Sequence, residues 1–127
     1  MDIANFKNHY RNMVVEIDGA HEAFDTMLNK LVSLCQGEIE DIADVSYEKD
    51  FSHPRELCKM RFLLIFTFKK YADVVKIPAT ICYDNDNDNM IIIIDNRVYS
   101  VVNPFTNKLS KDINEAITEY LKSVFLR

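Results

Sequence analysis

Residues 90–102 read MIIIIDNRVYSVV, and this stretch decides the fold class. Ile91, Ile92, Ile93 and Ile94 are β-branched, and such side chains lose rotamer freedom in a helix but pack well on a pleated sheet. Asp95 and Asn96 follow, and both residue types tolerate positive φ, as a two-residue hairpin turn demands. Arg97 to Val102 then returns as the partner strand. A strand with one wet face alternates apolar and polar residues, so an unbroken isoleucine run predicts burial on both faces. The expectation is a hairpin at the centre of a core.

Two more strands lie upstream. MRFLLIFTF (60–68) sets Phe62, Leu64, Phe66 and Phe68 on one side and Leu63, Ile65 and Thr67 on the other. IPATICY (77–83) is the next, with Pro78 near its start, where a missing N–H matters least. Between them, 69–76 reads equally as a connection or as a charged continuation. Further back, Val45, Tyr47, Lys49 and Phe51 share one parity, which fits an edge strand with acidic flanks, and Ser52-His53-Pro54 breaks it.

Helices are expected at both ends. Ile3, Phe6, Tyr10, Met13, Ile17, Ala20, Phe24, Met27, Leu31 and Leu34 alternate spacings of three and four, the pattern of an amphipathic helix and equally of a coiled-coil seam. Gly19 marks a kink or break, and Gly37 is a candidate C-cap. At 1.5 Å per residue one helix here would be about 50 Å long, more than a small sheet covers, so it either breaks or projects toward a partner. Near the other end, Ser110 suits an N-cap, and Ile113, Ala116, Ile117, Tyr120, Leu121 and Val124 form one stripe. The sum is a single α+β domain over 1–127. It has a long N-terminal helix, a mostly antiparallel meander of four or five strands and a C-terminal helix. If both helices cover one face of the sheet, the other stays apolar and offers a binding or dimer surface.

Composition removes several functions. The chain has 127 residues and a net charge of −5, which argues against direct nucleic-acid contact, since phosphate binding needs clustered Lys and Arg. Gly19 and Gly37 are the only glycines, and neither sits in a phosphate-cradling loop. No run is apolar enough to span a bilayer, and MDIANFKNHYRN lacks a signal-peptide pattern, so a cytoplasmic protein without a membrane partner is expected. Frequent Ile, Asn, Asp and Lys with no Trp fits an AT-rich microbial, phage or viral genome. Cys35, Cys58 and Cys82 are odd in number and widely spaced, as expected of buried thiols rather than a disulfide framework.

No catalytic residue, metal ligand set or cofactor is assigned. His9, His21 and His53 complete no zinc motif, and no serine or cysteine stands in a recognisable nucleophile frame. Asp84, Asp86 and Asp88 match the first ligand positions of a calcium loop, with Asp95 at the last, but Asn89 replaces the essential glycine and a strand follows where a helix should. A polar turn that keeps hydrophobic strands soluble is the expectation there.

The functional lead is charge. Glu38, Glu40, Asp41, Asp44, Glu48 and Asp50, together with Asp84, Asp86 and Asp88, form two acidic stretches with only Lys49 among them. On one face they would steer toward a basic protein surface, including the groove of a nucleic-acid-binding protein. The expected function is therefore a non-catalytic protein-binding module, a small acidic inhibitor or immunity-type protein acting by occupying a basic surface. The alternatives are a secretion-type chaperone or dimeric adaptor using an apolar sheet face or the helix overhang, and an enzyme with an unfamiliar site.

Overall fold

Ile94 lies opposite Arg97, so the turn between β4 (Asn89–Ile94) and β5 (Arg97–Val101) spans two residues, and Asn96 adopts a φ of 63° in it. These strands belong to a computed structural model that describes residues 2–70, 73–84, 89–94, 96–101, 114, 115, 117–119, 122, 123 and 126. β1 (Ala43–Lys49), β2 (Lys59–Phe68) and β3 (Val74–Asp84) complete a five-stranded sheet in the order β1-β2-β3-β4-β5, antiparallel throughout. The meander is as expected. Residues 69–70 form a turn and the strand resumes at Val74, so β3 is longer than IPATICY alone.

That extension puts Pro78 in mid-strand rather than near the start. The Phe68 N–H donates to the Asp73 carbonyl, and the Tyr83 N–H to the Cys58 carbonyl. In an antiparallel ladder this alternation points residue 78 away from β2, toward the side where pairing with β4 stops at Ala79–Ile94. The missing N–H therefore breaks no ladder bond, the condition under which a sheet tolerates proline.

One helix, α1, runs unbroken from Ile3 to Ile39. Asp2 caps it, its carboxylate accepting from the Ala4 N–H at 3.1 Å. Gly19 does not break it, and a Cβ there would meet nothing within 4 Å. Gly37 is not the C-cap: it sits in the last turn with no positive φ, and the helix ends at Glu40 in an ordinary right-handed conformation. The chain reverses through the Ile42 N–H to Ile39 carbonyl bond, which asks nothing special of glycine.

α1 packs antiparallel to β1 across one face of the sheet. Phe24, Met27, Leu28, Leu31 and Cys35 meet Val45, Met60, Phe62, Leu64, Phe66, Ile77, Ile81, Ile92 and Ile94 in one core. Residues 114, 115, 117–119, 122 and 123 are helical, and Ile117 joins that same core, so the C-terminal helix shares the face. Ser110, Ile113, Ala116, Tyr120, Leu121 and Val124 lie outside the described residues, or their side chains do. The isoleucine run is thus buried on one side only. Ile92 and Ile94 are fully buried, whereas Ile91 and Ile93 face out with Leu63 and Ile65, half-buried, and Val74 and Val98 beside them are exposed. No described element covers that outer face.

Gln36 covers the start of the open β1 edge. Its Nε2 donates to the Ala43 carbonyl at 2.8 Å and its Oε1 accepts from the Val45 N–H at 2.7 Å, so one amide replaces a missing strand. Gln36→Ala leaves both groups without that partner and should cost about 1–3 kcal/mol, read from the shift of the denaturation midpoint.

Candidate functional site

The apolar stripe of α1 changes role along its length. From Phe24 to Cys35 it is buried on the sheet. Toward the N-terminus the same stripe continues past the sheet's end, where Ile3 is 72% exposed, Phe6 58%, Tyr10 57% and Met13 54%. Ile17 is half-buried at the base. At 1.5 Å per residue the segment from Ile3 to Ile17 projects about 20 Å. The helix does not break, so the sequence alternative of a projecting overhang is the one realised.

Polar links hold α1 where it leaves the sheet. The Tyr47 hydroxyl donates to Asp25 at 2.9 Å, and the Lys49 ammonium pairs with the other oxygen of that carboxylate at 2.9 Å. Arg55 pairs with Asp18 at 2.6 Å. His21 is buried against Phe24, ring centroids 5.6 Å apart, and its Nε2 donates to the Glu56 carbonyl at 2.6 Å. The sequence shows only that the histidines complete no zinc motif and does not reveal this anchor. Its only signal was a histidine set between Ala20 and Phe24 on the apolar stripe.

Burial, reinforced by the Asp25 carboxylate, pushes the Tyr47 phenol up to about 12. The folded value lies above the ordinary 10.0, so the neutral phenol is favoured in the folded state. Stability from this link is complete below pH 10.0 and declines as pH climbs toward about 12. Tyr47→Phe should remove that part of the alkaline decline, seen as the difference between the two proteins' unfolding free energies across this window.

The described acidic residues lie toward both ends of the sheet. Glu40, Asp41 and Asp44 are exposed where β1 begins, whereas Asp84 ends β3 at the opposite end of the sheet. Glu48 and Asp50 lie toward that second end, along the β1 edge. Asp44 sits 3.9 Å from Lys69, and Glu48 3.6 Å from Lys76. Hydrogen bonds from the Ser52 hydroxyl and N–H hold the Asp50 carboxyl below its usual value. Asp86, Asp88 and Asp95 lie outside the described residues, as does the Glu38 side chain. Asp84 pairs with Asn89, so 85–88 span the β3–β4 connection.

Below the 50–58 loop a small cleft collects His21, Asp50, His53, Arg55, Glu56 and Arg61. Its groups largely answer one another: Arg55 holds Asp18, Lys59 holds Glu56, and His53 meets the Ser52 hydroxyl at 3.0 Å. Among the described residues no group of three His, Cys, Asp or Glu is placed to hold a metal. The cysteines form no disulfide. Cys35 is buried, burial raises the Cys82 thiol, and Cys58 is exposed, against the expectation that all three are buried. No described helix is long and apolar enough to cross a membrane.

Where the overhang leaves the sheet, an open apolar groove of about 330 Å³ lies between Ala20, Ala23 and Phe24 of α1 and Leu57, Tyr83 and Met90. It begins at Ala20, where the projecting stripe ends. Small side chains on the helix side leave it room for another chain's residues.

Comparison with protein families, curated protein sequences and solved structures finds no match.

Proposed function

We propose that this protein is a non-catalytic protein-binding module of the adaptor type, docking an apolar helix of a partner chain along the projecting half of α1. One observation carries the reading. Phe6, Tyr10 and Met13, large apolar side chains on one continuous helix face, are each more than half exposed. Soluble proteins seldom leave such a contiguous stripe uncovered unless something docks there. The outer sheet face is the weaker surface for this role, because Asp44, Glu48, Arg61 and Lys76 interrupt its apolar residues.

A second reading rests on the β1 edge. Glu40, Asp41, Asp44 and Glu48 are exposed along it, and an inhibitor of immunity type would set them against a basic surface, such as that of a nucleic-acid-binding protein. Salt separates the two. Capture from lysate with the whole chain should yield a partner that survives a high-salt wash and is lost with Phe6→Glu/Met13→Glu. A partner released by salt and indifferent to those substitutions would support the acidic edge instead.

A further inference from the structure

The stripe, the groove at its base and the charges beside it identify the occupant. Read as heptads, Ile3, Tyr10, Ile17 and Phe24 fall at a positions and Phe6, Met13, Ala20 and Met27 at d. Lys7 and Arg11 are the cations of the outer part of the helix, with His9 between them and Asp2 at its cap, and Glu16, Asp18 and Glu22 lie nearer its base. A parallel pair of such helices stacks the two acidic bases on each other. An antiparallel pair sets the basic half of each on the acidic half of the other, and in that register His9 and Glu16 face each other across the seam.

The same register answers the side-chain sizes. With a positions facing d positions, Tyr10 meets Met13, Phe6 meets Ile17, and Ile3 meets Ala20. Ala20 is where the projecting stripe ends and the open groove with Ala23, Leu57, Tyr83 and Met90 begins. The helix also needs such support. Residues 3–13 are exposed throughout, and turns that propagate from an anchored helix without packing of their own fray readily.

We infer that two copies of this chain associate through α1 in antiparallel register, each laying Ile3 and Phe6 against the other's Ile17, Ala20 and the adjoining groove. The inference rests on the reading of the stripe as a docking surface and names its occupant. A membrane surface fits less well, since Glu16 and Asp18 oppose the two cations that an anionic bilayer would attract.

Light scattering on the full chain should give twice the 14.8 kDa chain mass at high concentration and the single mass on dilution. Phe6→Glu/Met13→Glu alters exposed positions only and should hold the mass at 14.8 kDa, with the circular dichroism of wild type diluted to its single mass. Orientation is read by crosslinking in a Cys58→Ser background. Ile3→Cys should bond to Ala20→Cys in a mixture of the two proteins, and not to itself. A parallel seam gives the reverse and overturns the inference. So does a wild-type chain that stays monomeric at every concentration, whether or not it binds phosphatidylcholine–phosphatidylserine vesicles, and so does a dimer untouched by the two glutamates. If the wild type is monomeric but the glutamates abolish partner capture, self-pairing falls and the docking reading stands. If they change neither mass nor capture, both fall.

Discussion

Phe24→Ala is expected to cost about 3–5 kcal/mol of folding stability, and Phe6→Ala less than about 1 kcal/mol when the protein is dilute. Both phenylalanines lie on the same stripe of the same helix, so helix propensity and sequence pattern do not distinguish them. Packing does. Phe24 is 2% exposed, pressed between His21 and the sheet core, whereas Phe6 is 58% exposed beyond the sheet's end. Removing the Phe24 ring loses its transfer free energy and leaves a cavity that the surrounding sheet cannot fill. Such a loss is a large share of the 5–15 kcal/mol typical of a small domain, and a urea titration would read it as a lower midpoint at constant slope. Equal losses at the two positions in dilute solution would mean that the overhang is packed within one chain.

Ile92→Ala should likewise cost about 3–5 kcal/mol, against about 1 kcal/mol for Ile93→Ala. The two are neighbours in the isoleucine run, and alternation in a strand sends them to opposite faces. Ile92 is fully buried beneath the helices, opposite Ile81 and Tyr99. Ile93 lies between Thr80 and Val98 on the outer face, shielded only by its neighbours within the sheet. Comparable costs would show that something covers the outer face, and would turn attention from the helix to the sheet as the docking surface.

These contrasts mark what was legible in the sequence. Strand order, hairpin register and the long helix followed from local signals: β-branched runs, the Asp95-Asn96 turn and the spacing of apolar residues from Ile3 to Leu34. Burial on both sides of Ile91 to Ile94 did not follow, because a chain that covers one sheet face with both helices leaves the other open while keeping its apolar residues. Gly37 as a C-cap failed because the helix ends without a left-handed residue. Glu40, Asp41 and Asp44 lie toward one end of the sheet and Glu48 and Asp50 toward the other, a separation that strand register reveals. Gln36, Asp25 and His21 were invisible as anchors, since their partners are backbone groups and side chains of a loop and an edge strand whose positions the pattern of a helix cannot give. The overhang itself was readable as a length too great for the sheet; which half projects was not.

The central claim is that the projecting half of α1 is held in place by the same helix of a second copy. Amide hydrogen exchange along α1, measured on the whole protein over a range of concentrations, tests it most directly. The account predicts that residues 6–17 are protected at high concentration nearly as well as residues 24–35, and that only the former lose protection on dilution. Protection over 6–17 that does not change with concentration, whether high or absent, would contradict it.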